Sequence, residues 1–202
     1  VRAVRAVHRR AERLAEAAPR RGPAASFIVT DVAGGRDAEA AIAAARGFQA
    51  ALLIRDYDAP DRAALASRLA RLARRAGLLA FVGRDIDLAI EARADGVHLP
   101  EALLATVGDA RRAGLAVTVA AHSAGALRKA EAAGADAALF SPVFATASHP
   151  GARAAGGLRA ALAAAQVRMP VLALGGVDET TARLIPTGRV AGVAAIRGLH
   201  PG

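Results

Sequence analysis

Eight short apolar runs, each set off from the next by a helix-length segment, constrain this chain more than any other feature of it. They lie at residues 26–30, 50–54, 78–82, 96–99, 116–121, 136–143, 171–174 and 192–196. Each is almost continuously apolar, with no alternation of polar and apolar residues, as in strands covered on both faces. The connections are too long for hairpins and suit crossovers between parallel strands. Residues 60–76 carry Leu65, Leu69, Leu72 and Ala76 on one helical stripe, with Pro60 at the start and Gly77 at the end. Further helices are predicted over 37–46, 86–93, 157–165 and 178–185, and another between Ser123 and Gly134.

About eight βα units is the count of a closed barrel, so the expected class is α/β, a single-domain (β/α)8 TIM barrel over residues 23–202. Ahead of it, residues 1–22 hold an extra amphipathic helix with Val1, Val4, Val7, Ala11, Leu14 and Ala18 on its apolar face. That helix is expected to pack on the barrel and cap one end of the core. Three stretches look alike, at 92–99, 133–140 and 190–196, and each joins a helix end to a buried strand. Their irregular spacing marks recurring βα architecture and not a solenoid.

With 202 residues, 54% hydrophobic and 22% charged, the chain can bury a sizeable core. A net charge of +9 suggests a nucleic-acid binder. The distribution argues against a specific one: arginines are spread over nearly every predicted helix, Lys129 is the only lysine, and aromatics are 3%. The absence of cysteine excludes disulfides, thiolate metal sites and thiol catalysis. No apolar run reaches the roughly 18 residues of a membrane span, so no membrane partner and a cytoplasmic location are expected. A homo-oligomer is left open.

Chemistry concentrates at the carboxyl ends of the runs, where parallel α/β proteins bind ligands. Thr146, Ser148 and His149 follow the sixth run, Gly175-Gly176 the seventh and Arg197-Gly198 the eighth. Hydroxyls, together with amides that glycine lets approach closely, suit phosphate oxygens, so these three units predict an anion pocket. His122, where the fifth run gives way to a helix, is the best general acid/base candidate. His98, inside the fourth run, reads as a core or wall residue.

Four stretches together resemble the thiamine-phosphate synthase/TenI family: Ala94-Asp-Gly-Val-His-Leu99, Val119-Ala-Ala-His122, Ser141-Pro-Val-Phe-Ala-Thr-Ala-Ser-His149 and Leu174-Gly-Gly-Val177. The resemblance runs from about Phe27 to Leu199. It implies a TIM barrel of the thiamine pathway that binds thiazole phosphate, a small-molecule phosphate substrate. The synthase joins that phosphate to hydroxymethylpyrimidine diphosphate with Mg²⁺. TenI-type members aromatise a thiazole tautomer with a histidine at the position of His122. By the same resemblance Thr146, Ser148, Gly175 or Gly176, and the Ile196-Arg197 backbone hold the phosphate, and Arg55 matches the arginine of the synthase's Gln-Leu-Arg-Glu-Lys motif.

The pyrimidine side departs from the family pattern. Leu53 replaces that motif's glutamine, Tyr57 its lysine and His149 the pyrophosphate-binding lysine, while Ala120 stands for a serine. Gly83-Arg84-Asp85 replaces Asn-Asp-Arg, and the second metal-binding aspartate aligns near Leu103. Because metals and nearby cations stabilise a diphosphate leaving group, these losses favour a TenI-like tautomerase needing no cofactor. The alternatives are a Mg²⁺-dependent thiamine-phosphate synthase, with Asp85 and Glu101 as ligands in a shifted register, and a noncatalytic thiazole-phosphate binder.

Overall fold

The structure, a computed structural model, describes residues 1–146 and 154–201. Eight parallel strands pair in sequence order and β8 returns to β1, closing the barrel. They are β1 (Ser26–Val29), β2 (Ala50–Ile54), β3 (Leu79–Gly83), β4 (Gly96–Leu99), β5 (Ala116–Ala121), β6 (Ala137–Phe140), β7 (Val171–Leu174) and β8 (Val193–Ala195). The helices are α1 (Arg2–Ala17), α2 (Ala38–Ala44), α3 (Arg62–Arg75), α4 (Ile86–Glu91), α5 (Val107–Arg112), α6 (Ala124–Ala132) and α7 (Gly157–Ala164). Side-chain caps fix the starts of α2, α3, α4 and α6, where Asp37, Asp61, Asp85 and Ser123 each accept an amide hydrogen bond from the first turn.

Two of the expected elements need correction. The helix predicted over 178–185 is only a 3₁₀ turn at Thr181–Leu184. Asp178 caps that turn through the amides of Thr180 and Thr181, and Ile185 is already extended because Pro186 disfavours helical backbone before it. The sixth strand stops at Phe140, three residues short of the expected end, since Pro142 has no N–H to continue a ladder. Between β4 and β5, where no helix was assigned, a 3₁₀ segment at Glu101–Thr106 leads into α5.

Two apolar clusters divide along the barrel wall. Phe27, Val29, Ala51, Leu53, Phe81, Leu139 and Leu172 fill the interior, while Ile28, Leu52, Val82 and Val97 point out to the helices. Phe27 and Phe81 meet edge to face inside, with ring centroids 5.1 Å apart. The Phe81 ring lies where a side chain at position 96 would start, which is why β4 opens with glycine.

The look-alike stretches at 92–99 and 133–140 have a structural cause. Asp95 accepts the Ala80 amide through its side chain at 2.8 Å, and Asp136 accepts the Val117 amide at 2.7 Å. Each aspartate ties its strand to the start of the preceding one. The third stretch has Gly192 at the corresponding junction, packed against the Ala25 backbone.

The N-terminal helix does not cap an end of the core. α1 lies along the outer flank over β1, between the Thr181–Leu184 turn and α2, where a helix following β8 would sit in a regular barrel. Val4, Val7, Ala11 and Leu14 are buried there, whereas Val1 is exposed. Arg10 donates to the carbonyls of Ala182 (3.2 Å) and Ile185 (2.5 Å), and Glu12 accepts the Gln49 amide. His8 is fully buried, hydrogen-bonded to Ser26 at 2.8 Å and stacked on Phe48, and burial pushes its pKa down to about 4.

Candidate functional site

The exits of β6, β7 and β8 are stitched together. From the loop after β6, the amides of Val143 and Phe144 donate to the carbonyls of Leu174 and Gly175, at 2.8 and 2.9 Å. Gly175 and Gly176 have φ of 96° and 62°, the left-handed region that glycine enters without strain. A Cβ at Gly176 would stand 2.8 Å from that of Phe144, and one at Gly198 would meet Val177 and Asp178. The loops are therefore in backbone contact, and a side chain at either glycine would part them. Among the described residues the amides of Gly175 and Gly176 have no acceptor, so they are available to an anion at the mouth. Ile196 packs on the barrel interior and Arg197 is exposed at the start of a 3₁₀ turn. Thr146 is described, while Ser148 and His149 lie outside the described residues.

His122 directly follows β5 and precedes Ser123, the cap of α6, so strand and helix both fix its backbone. Its Nδ1 lies 2.9 Å from the Ser141 carbonyl oxygen and 3.3 Å from Ser141 Oγ. A carbonyl only accepts, so Nδ1 carries the proton and, in the neutral ring, Nε2 is left with its lone pair. The imidazole is exposed and oriented by one well-placed bond, as a proton acceptor requires.

Across the mouth, the exits of β2 and β3 hold a different chemistry. Arg62 and Arg84 flank the Tyr57 ring, their guanidinium carbons 5.5 and 4.9 Å from its centroid. Gly83 makes room for that ring, since a Cβ there would stand 2.9 Å from it. Burial raises the Tyr57 pKa, opposed by the charges of Arg55, Arg84 and Arg62, so the phenol stays protonated at neutral pH. Deeper in, His98 hydrogen-bonds Thr118 at 2.9 Å; burial and the Arg55 charge lower its pKa to about 4, which makes it a neutral wall residue.

The carboxylates do not fit a divalent ion here. Asp85 is paired with Arg62 at 3.1 Å and caps α4 through the Leu88 amide. Glu101 faces Lys129 at 3.7 Å, and Asp56 is taken up by the Thr30 hydroxyl and the Val32 amide. Among the described residues no three His, Asp or Glu side chains gather as a metal site.

The sequence matches the family described as thiamine monophosphate synthase over residues 25–199. The chain belongs to this family. It is 35% identical to the thiamine-phosphate synthase of Methanoculleus marisnigri over 179 residues, 84% of each chain. It is also 33% identical to that of Chloroflexus aurantiacus over 178 residues, 84% of this chain and 82% of the other. Its fold superposes on a thiamine phosphate pyrophosphorylase from Pyrococcus furiosus with a TM-score of 0.73 and 28% identity, covering 85% of this chain and 84% of the other. Within the family frame, Gly175, Gly176, Ile196 and Arg197 come together on one side of the mouth, and Arg55 belongs to the other. Sequence reasoning missed two contributors. Ser141, which orients His122, stands in the quoted Ser-Pro motif; Arg62, on the first turn of α3, carries no local signal that it reaches back to the Gly83 carbonyl.

Proposed function

We propose that this chain binds thiazole phosphate at the β6–β8 exits and couples it to a pyrimidine carried as its diphosphate ester. The observation that carries the binding is the pair of amides at Gly175 and Gly176 that have no acceptor among the described residues, at the mouth where barrels hold phosphate. The names of the relatives support coupling as the first reading, ahead of the tautomerisation that the residues favour alone. In coupling, the thiazole nitrogen forms a bond to the pyrimidine's methylene carbon while the carbon–oxygen bond to diphosphate breaks, and diphosphate departs with the electron pair. The cradle's part is to hold the nucleophile by its phosphate, in place for attack.

The test supplies both substrates and follows thiamine phosphate together with released diphosphate. Product at ordinary enzyme rates is expected. A second reading, tautomer conversion by His122, rests on the Nδ1 bond to Ser141, which leaves Nε2 as the base. It takes first place if no coupling occurs while the exocyclic thiazole phosphate is aromatised. Thiazole phosphate titrated into a Thr146→Val, Ser148→Ala double variant should bind at least tenfold more weakly; unchanged affinity would remove the cradle.

A further inference from the structure

We propose that the β2/β3 side of the mouth is a diphosphate site that works without a divalent cation, its positive charge supplied by Arg55 and Arg84. Arg62 and Arg84 stand at the Tyr57 ring and the Arg55 charge also acts on its phenol; among the described residues only Arg62 of the three is neutralised, by Asp85. Asp56, the carboxylate next in sequence to Arg55, is spent on Thr30 and Val32. Arg55 and Arg84 therefore have no carboxylate partner among the described residues, although their charges fall on the same phenol. Such like charges repel until an anion joins them, and a divalent cation placed there would meet the same repulsion.

The backbone gives an independent pointer. Arg84 has φ 67°, a left-handed conformation that costs a non-glycine residue roughly 1 kcal/mol. It is held there by its N–H bond to the His98 carbonyl at 2.8 Å. Strain that the surrounding structure enforces is common where a side chain must be aimed. Here it sets the Arg84 guanidinium over the face of Tyr57, beside the mouth.

Two planar forks and one phenol hydroxyl match an anion with several oxygens and more than one charge, and suit diphosphate better than a monoester. The site is separate from the cradle, since β2 and β3 lie across the barrel from β6 and β7. The inference rests on the coupling reading, which already brings a diphosphate ester to this mouth, and adds that the chain's own arginines, not a divalent cation, balance its charge.

Calorimetric titration with inorganic diphosphate tests it in 0.15 M salt, once with EDTA and once with excess Mg²⁺. Binding is expected in EDTA, with no gain from Mg²⁺. Arg84→Gly, which removes the guanidinium and relieves the backbone, and Arg55→Gln should each weaken it by roughly ten- to a hundredfold. Arg71→Gln, an exposed arginine on α3, should not. Absence of coupling in wild type would sink the proposed reaction and leave this site standing. Diphosphate binding seen only with Mg²⁺, or equally weakened by Arg71→Gln, or unchanged in both mouth variants, would overturn it.

Discussion

His122 and Gly96 show how single positions carry different duties in this barrel. His122→Gln is expected to leave thiazole-phosphate affinity within about threefold while slowing tautomer conversion by roughly a hundredfold, the scale of a lost general base. A wild-type rate in that variant would reduce His122 to a tie between the β5 and β6 exits. Gly96→Ala should cost about 2–3 kcal/mol in urea unfolding, because its Cβ would enter the Phe81 ring and neither strand can retreat. Phe81→Leu in the same chain should return part of that loss; no rescue would mean that the backbone contact with Ala116 dominates. The strand-exit residues were legible because they are polar where only turn residues are needed. The glycine at 96 was visible only as part of a motif, since its reason is a ring fifteen residues away in sequence.

Among the elements, α1 and the turn after β7 are the informative ones. Leu14→Ala should lower stability by about 3 kcal/mol, the usual cost of a cavity at a fully buried leucine. A loss under 1 kcal/mol would mean that the helix is not part of the cooperative unit. The helical period of residues 1–18 was plain in the sequence, but its location was not. Periodicity says which face is buried, never against what. The segment at 178–185 failed for the opposite reason: its pattern is helical, yet an aspartate cap and a proline eight residues on leave room for little more than one turn.

For the molecule as a whole, acid is the sharpest probe. His8 and His98 have folded pKa values of about 4, below the ordinary 6.5, so the unfolded chain takes up protons first. Their contribution to stability is complete above pH 6.5 and is lost as pH falls from there toward 4, on the order of 3 kcal/mol for each histidine. The urea midpoint should therefore drop steeply between pH 7 and 4.5, and the slope should flatten when both are replaced by glutamine; an unchanged slope would assign the effect to other groups, the buried His200 and the carboxylates. The closed barrel was readable from the count of apolar runs alone, because eight parallel strands have one economical closure. The helix over β1 carries a further consequence, in the order of events. It leaves the ribosome ahead of every strand, yet the turns it packs against, at 181–184 and 197–199, follow the seventh strand and the eighth. Until then a basic amphipathic segment has its apolar face uncovered, so barrel closure and helix docking become one step that waits for the eighth strand.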